Sequence, residues 1–313
     1  MTPASRPPAV FLFGSLRSGT TLLRLMVDAH PDLANPGETD FLFDHLDLTQ
    51  DPPRYDLDAL RFDRIFKARD LHLPPGLDGL DLLADMIAQL SAPAPGRTSL
   101  NIHRHPERVV AACPNARIVH LVRDPRDVAR SSIGMGWAGT LFHGVGHWIE
   151  TEKAWARAAA AFPEDQVLEL RYEALVRDPE PELRRLCAFL GVEWNPGMLD
   201  FHETSTYAPV DAKLAEQWRR KSSLREIRHV EARAAPLMER LGYALAGGPT
   251  EPPGLLERAA LAVRNKTAIW RFGMDRLGAR LFWAEKLARF AGLKTWHRRL
   301  QLDIQHIQMQ HLK

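Results

Sequence analysis

Cysteine is scarce in this chain of 313 residues: only Cys113 and Cys187 are present. Each lies in an apolar run, VVAACP or LRRLCAFLG. That placement argues against a disulfide framework or a cysteine metal site and predicts buried free thiols. Net charge is nearly absent as well, +2 at neutral pH, so no polyelectrolyte role such as coating nucleic acid is implied. No apolar run approaches the ~20 residues of a membrane-spanning helix. The opening MTPASRPPAVFLF is too short for the apolar stretch of a secretory signal. Internal repeats are missing too. These absences predict a cytoplasmic protein, and the 45% hydrophobic content is enough for a full globular core.

Along the chain, residues 1–9 read as a short disordered tail. Val10–Phe13 is a buried strand closed by Gly-Ser, and Thr20–Ala29 has helical spacing that stops at His30-Pro31. Arg117–Val122 is a second core strand, preceded by the helix-like stretch Pro106–Cys113. Val167–Leu170 is a third, followed by Tyr172–Val176 and by an amphipathic helix Pro181–Leu190 that Gly191 closes. Strands alternating with helices predict a three-layer α/β/α domain over residues 10–245, built on a central parallel sheet. Between Phe43 and Gly96 the pattern loosens without a clear core strand, which reads as an insertion over the sheet's ligand edge. Ala246–Gly254 has the composition of a linker. Residues 255–313 then form a basic amphipathic helical extension. From 251 onward there are 12 Lys/Arg against 5 Asp/Glu, while the first 250 residues hold 29 against 34.

The strongest local signal is Gly14-Ser-Leu-Arg-Ser-Gly-Thr-Thr21, set between a strand and a helix. There, consecutive backbone N–H groups turn into one concavity, and the helix N-terminus adds about half a positive charge. Gly14 and Gly19 allow the tight backbone, Arg17 supplies a cation, and Ser18, Thr20 and Thr21 supply hydroxyls. The loop is P-loop-like, with Gly at the first and sixth positions of a Walker A motif, but it carries Thr20 where that motif has lysine. A kinase would want the lysine and a metal-holding carboxylate. A sulfuryl group carries less charge than a terminal phosphoryl and can move without metal. In RDPRDVARSS a strand end feeds a helix, so Arg123 and Ser131, eight residues apart, can together hold a compact phosphate.

The stretch FLFGSLRSGTTLLRLMVDAHPDLANPGETDFLF resembles the opening of the sulfotransferases that use 3′-phosphoadenosine 5′-phosphosulfate (PAPS). It is most similar to tyrosylprotein sulfotransferases and their bacterial relatives. The resemblance continues through HLVRDPRDVARSS, LELRYEALVRDPEPELRRLCAFLGVEW and QWRRKSSLREIRHVEARAAPLMERLGY, covering roughly residues 10–243. It implies PAPS as sulfuryl donor, 3′-phosphoadenosine 5′-phosphate (PAP) as product, and no metal. It further implies that Arg17, Ser18, Gly19, Thr20 and Thr21 hold the 5′ end, Arg123, Ser131 and Lys221 hold the 3′-phosphate, and Tyr172 lies beside the cofactor. Arg219 and Arg220 are alternatives to Lys221. Glu38, in PGETD, stands at the family's general base, with His103, His105, His143 and His147 as substitutes, and Arg17 and Arg97 stabilise developing charge.

Three departures stand out. Arg97, in RTS, replaces the lysine of Lys-Thr-Pro or Lys-Asp-Pro, and it stays charged rather than acting as an acid. Glu216 adds a carboxylate near the cofactor, and Asp40 replaces an arginine that greets acidic peptides. The Asp40 change argues against acidic tyrosine motifs as acceptors. A small molecule, a glycan or a lipid is expected instead, in a pocket lined from residues 43–96 and 133–150 with Phe41, Phe43, Trp137, Phe142 and Trp148 as apolar candidates. Two other readings stay open: a metal-dependent nucleotide kinase, and a PAP-binding module without transfer. The tail is expected to dock on its own domain, form a homodimer, or touch an anionic membrane.

Overall fold

The computed structural model describes residues 9–93, 96–246 and 251–310. Residues 1–8 of the expected tail and residues 247–250 of the expected linker lie outside this range. The strands are β1 (Val10–Phe13), β2 (Leu33–Ala34), β3 (Leu46–Asp47), β4 (Arg54–Tyr55), β5 (Arg97–Ile102), β6 (Arg117–Val122) and β7 (Val167–Arg171). Five of them form one parallel sheet in the order β2-β5-β1-β6-β7, while β3 and β4 pair separately and antiparallel. Parallel strands must be covered on both faces, and alternation along β1 shows how. Val10 and Leu12 face the helices Thr20–Asp28 and Pro179–Leu190, where Leu23, Met26, Leu186 and Cys187 are buried. Phe11 and Phe13 face the opposite layer with Leu82, Met86 and Trp155. Full burial of each such side chain stabilises the fold by about 1.5–3 kcal/mol.

Two expectations change here. Residues 97–102 form a central strand that apolar spacing does not mark. Its apolar residues are few because Ser99 and Asn101 are buried through hydrogen bonds: the Asn35 amide donates to Ser99 Oγ and to Asn101 Oδ1, both at 2.9 Å. The segment before it is also more than a cover for the ligand edge. Its helices Leu57–Phe62, Arg64–Lys67 and Gly79–Ser91 send Leu60, Phe66, Leu82 and Met86 into the core of one sheet face. Both cysteines are free, Cys187 buried and Cys113 half-buried.

The extension forms three helices, Leu255–Leu277, Ala279–Phe290 and Lys294–Gln310. It lies against the body. The Asn265 side chain accepts from Gly139 N at 2.7 Å, Phe272 packs over Gly136, and Glu257 holds Arg225 at 2.6 Å and His229 at 2.9 Å. Arg298 sits 4.2 Å from the ring centre of Phe62. No helix among the described residues is long and apolar enough to cross a membrane.

Candidate active site

The carboxyl ends of β1, β5, β6 and β7 meet on one edge, where parallel α/β sheets bind ligands. After β1 the chain turns through Gly14–Gly19 into the helix Thr20–Asp28. Arg17 takes a left-handed φ of 72°, unusual for a side chain bearing a Cβ. Gly19 has φ 95°, and a Cβ there would lie 2.3 Å from the Tyr172 ring. The loop is therefore pressed against the first residue of the segment that follows β7.

Arg17 Nε donates to Ser131 Oγ at 2.9 Å, and Arg123 Nη1 donates to the Arg17 carbonyl at 3.0 Å. The Arg123 guanidinium also lies 4.1 Å over the Tyr172 ring. Thus loop, β6 end, following helix and β7 end converge on one spot. The carboxylates beside Arg123 are otherwise engaged. Asp124 holds Arg126 through two bonds of 2.9 and 2.6 Å, and Asp127 accepts from Trp218 N at 2.7 Å and Gln217 N at 3.2 Å. Asp127 thereby anchors the helix Trp218–Lys221 beside Ser131, with Arg130 Nη1 on the Lys221 carbonyl at 2.5 Å. Lys221 Nζ itself donates to Gln217 Oε1 at 2.5 Å. The alternatives point elsewhere: Arg219 pairs with Glu216 and Arg220 donates to the Lys213 carbonyl.

A fit test for an anionic nucleotide is available in the polar atoms. Ser18 Oγ and Arg123 Nε are buried without a partner among the described residues. A buried donor left unpaired costs about 1–3 kcal/mol, so both suit a site completed by phosphate or sulfate oxygens. Among the described residues no group of three or more His, Cys, Asp or Glu is arranged to hold a metal ion.

Glu38 is exposed and bridges Asn101 near the end of β5; burial lowers the guanidinium pKa of Arg17 and of Arg69, and the nearby Glu38 carboxylate partly opposes both shifts. His147 Nε2 donates to the Leu16 carbonyl at 3.0 Å, and burial, with Arg17 nearby, lowers its pKa. His103 is buried between Thr20 and Asp40. His105 contacts Asp44 and Glu107, and His143 contacts Thr140.

Several expectations are corrected. Arg97 begins β5 and pairs level with Leu33, two residues before the position beside Val10. At ~3.3 Å per residue it lies roughly 16 Å from the carboxyl end. Its charged neighbour is Arg117, which, after burial, lowers its pKa. Arg97 is therefore on the wrong edge for the catalytic role. The cation at the right edge is Arg104, in Arg104-His105-Pro106, which has the cation–x–proline spacing. It reaches Asp44 at 2.6 Å and is half exposed. Asp40 is 4% exposed and accepts from His103 N and Arg104 N, so it meets no acceptor. Glu216 is neutralised by Arg177 at 2.5 Å and Arg219 at 2.9 Å. Phe41, Phe43 and Trp148 are core residues, leaving Trp137 and Phe142 accessible. The missed residues are Arg104 and the Asp40 link to His103, and the proline spacing was the signal for the first.

A cavity of about 460 Å³ opens beside this edge, lined by Phe13, His103, Arg104 and His105 on one side and by Glu150, Thr151 and Arg157 on the other.

Fold and site define a P-loop-like α/β protein with a tight loop bearing Arg17 at the sheet's carboxyl edge. The sequence model of the sulfotransferase family matches residues 8–196, and the chain belongs to that family. It is 26% identical over 263 residues to an uncharacterised protein of Aquifex aeolicus, covering 76% of this chain and 32% of that one. It is 29% identical over 206 residues to the protein-tyrosine sulfotransferase of Drosophila melanogaster, covering 63% and 40%. The chain thus spans well under half of either relative. Among solved structures, the sulfotransferase domain of the curacin biosynthetic pathway shares the fold, with a TM-score of 0.58 at 20% identity over 77% of this chain and 100% of that domain.

Proposed function

We propose that the protein transfers a sulfuryl group from PAPS to a hydroxyl of a small-molecule, glycan or lipid acceptor, within a catalytic domain of residues 10–245. The observation that carries this reading is the convergence of Arg17, Ser131 and Arg123, with no carboxylate paired to either arginine among the described residues. PAPS would supply the sulfuryl group and leave as PAP. Residues Arg17–Thr21 are suited to its 5′ end, Arg123, Ser131 and Lys221 to its 3′-phosphate, and Tyr172 to the base of the pocket. No metal is required, because loop N–H groups and Arg17 already oppose the anion. Glu38 takes the acceptor's proton, since an alcohol or phenol ionises far above neutrality. Arg104, rather than Arg97, supplies the second cation.

The cavity beside His103 and His105 is our candidate acceptor pocket, its size within the range of small-molecule sites. Asp40 is buried and so does not weigh against tyrosine peptides, and likeness to a protein-tyrosine sulfotransferase makes a peptide tyrosine the second acceptor class. The C-terminal extension presents Trp283, Leu287 and Phe290 on one exposed helix face between Arg280 and Lys286. We assign that face to an anionic membrane surface rather than to a homodimer, because two tails each bearing an excess of seven positive charges repel. A cytoplasmic location agrees with two free thiols.

The test has two parts. Calorimetry should show PAP binding at least tenfold tighter than 5′-AMP, one charge-assisted contact being lost. Mass spectrometry should then detect PAP released from PAPS only with an acceptor from a panel of phenols, sugars, lipid alcohols and tyrosine peptides. Equal PAP and AMP affinity, or magnesium-dependent ATP turnover without PAP release, overturns the proposal.

A further inference from the structure

Behind the loop a buried chain links Thr20 to two side chains, His103 and Asp40, that the transfer scheme does not use. Thr20 Oγ1 lies 3.1 Å from His103 Nε2, and His103 Nδ1 lies 2.9 Å from Asp40 Oδ2. The other Asp40 oxygen accepts from His103 N at 2.7 Å and Arg104 N at 3.2 Å. Thr20, His103 and Asp40 are 5%, 3% and 4% exposed. With both ring nitrogens engaged, His103 is not placed to take a proton from an acceptor.

Donor counting decides what the chain does. Burial would raise the Asp40 carboxyl pKa, but bonds from His103 and the charge of Arg104 hold it below the ordinary value. Asp40 is thus an acceptor only, and Nδ1 must carry a proton. If His103 is neutral, Nε2 holds a lone pair and takes the Thr20 hydrogen. The Thr20 oxygen then offers only lone pairs to an anion in the loop. If His103 is an imidazolium, Nε2–H donates to Thr20 and frees the Thr20 hydrogen for the anion.

We infer that His103 is a positioning residue whose protonation turns the Thr20 hydroxyl into a donor toward a phosphate or sulfate in the loop, so that anion binding draws one proton onto Nε2. The inference rests on reading the loop as a nucleotide site. By linkage, the same coupling weakens anion binding as pH rises, since a proton must then be taken from a scarcer supply. The charged groups around His103 are Asp40 and Asp44 from the two ends of the short helix Phe41–Asp44, Arg104 and His105 from its own strand end, and Glu107, Glu150 and Arg157 around the cavity. None of these reaches Nε2, which Thr20 occupies.

The experiment is PAP titration of the full chain by calorimetry between pH 6 and 9, in buffers of different ionisation enthalpy, which counts protons taken up. The ligand's own phosphates contribute equally in every variant, so the comparison is between proteins. Wild type should take up more protons than Thr20→Val, which keeps the side-chain shape and the Asp40–His103 pair but loses about tenfold in affinity. His103→Gln places an amide N–H near the Nε2 position at any pH. It should bind PAP within about threefold of wild type with the extra uptake gone. The ring nitrogen resonances of labelled His103 should move toward the imidazolium position on adding PAP to wild type. Equal proton uptake in wild type and Thr20→Val, or a His103 ring unchanged by PAP, overturns the inference alone. Failure of PAP to bind wild type overturns the nucleotide reading and this inference with it.

Discussion

Gly19 offers a direct test of how the loop is built. Alanine there would hold a left-handed φ of 95° and place a Cβ 2.3 Å from Tyr172 Cδ2 and 2.5 Å from Cε2. The backbone alone costs about 1–2 kcal/mol. Relieving the overlap means moving a ring that is 5% exposed and packed in the core, an overpacking cost of about 1–3 kcal/mol. The same movement breaks the Arg123 contact at 4.1 Å, worth about 0.5–1 kcal/mol. Together these give a destabilisation of about 2.5–6 kcal/mol, or a fall in Tm of roughly 4 °C or more for a chain of this length. Gly76 supplies the control: its φ is 84°, yet nothing lies within 4 Å of an added Cβ, so Gly76→Ala carries only the backbone cost of about 1–2 kcal/mol. Thermal unfolding of both variants, with PAP titration of each, separates the two effects. Equal Tm losses, or wild-type PAP affinity in Gly19→Ala, would refute the packing of loop on Tyr172.

Three other outcomes are expected. Glu38→Gln should retain PAP affinity while transfer falls by about two to four decades; unchanged turnover would shift the base to His147. Arg104→Ala should depress turnover at least tenfold, whereas Arg97→Ala, at the opposite edge, should leave it within about twofold, and the reverse ranking would restore the expectation based on sequence. The Leu287→Asp/Phe290→Asp variant should keep PAP binding and lose at least tenfold in co-sedimentation with vesicles of anionic lipid. Loss of a dimer in sedimentation, with vesicle binding unchanged, would favour a subunit interface instead.

The fold was legible where apolar spacing carries it. VFLF and RIVHLV became β1 and β6 with the expected ends, and VLEL became β7 with one residue added. β5 was hidden because a buried strand normally reads as apolar, and this one fills two inward positions with Ser99 and Asn101 bonded to Asn35. That omission displaced Arg97: without a strand there, a cation in sequence has no direction, and the amino and carboxyl ends of β5 look alike. The loop residues and their partners at Arg123, Ser131 and Tyr172 were readable because strand-end position fixes where they go. The environment of Asp40 was not, since a carboxylate after a turn looks the same whether it meets solvent or a buried histidine.

The pairing of charges around the loop explains why so few residues are left to act. Asp44 is held by Arg104, Asp124 by Arg126, Glu216 by Arg177 and Arg219, and Asp40 by His103. Glu173 accepts from Asp124 N at 2.9 Å and from the Tyr243 hydroxyl at 3.0 Å. Among the described residues Glu38 makes neither an ion pair nor a side-chain hydrogen bond, and Arg17, Arg123 and Lys221 make no ion pair. A carboxylate already satisfied by a cation is a poor base, and an arginine without a carboxylate partner keeps its full charge for a ligand anion; Arg104, paired with Asp44 yet half exposed, must exchange that partner to act. The groups kept unneutralised are thus three cations facing the loop and its neighbouring helix, and one carboxylate at the end of β5. That distribution is what transfer of an anionic group to a hydroxyl asks for: positive charge where the anion sits, and one free carboxylate where a proton must leave.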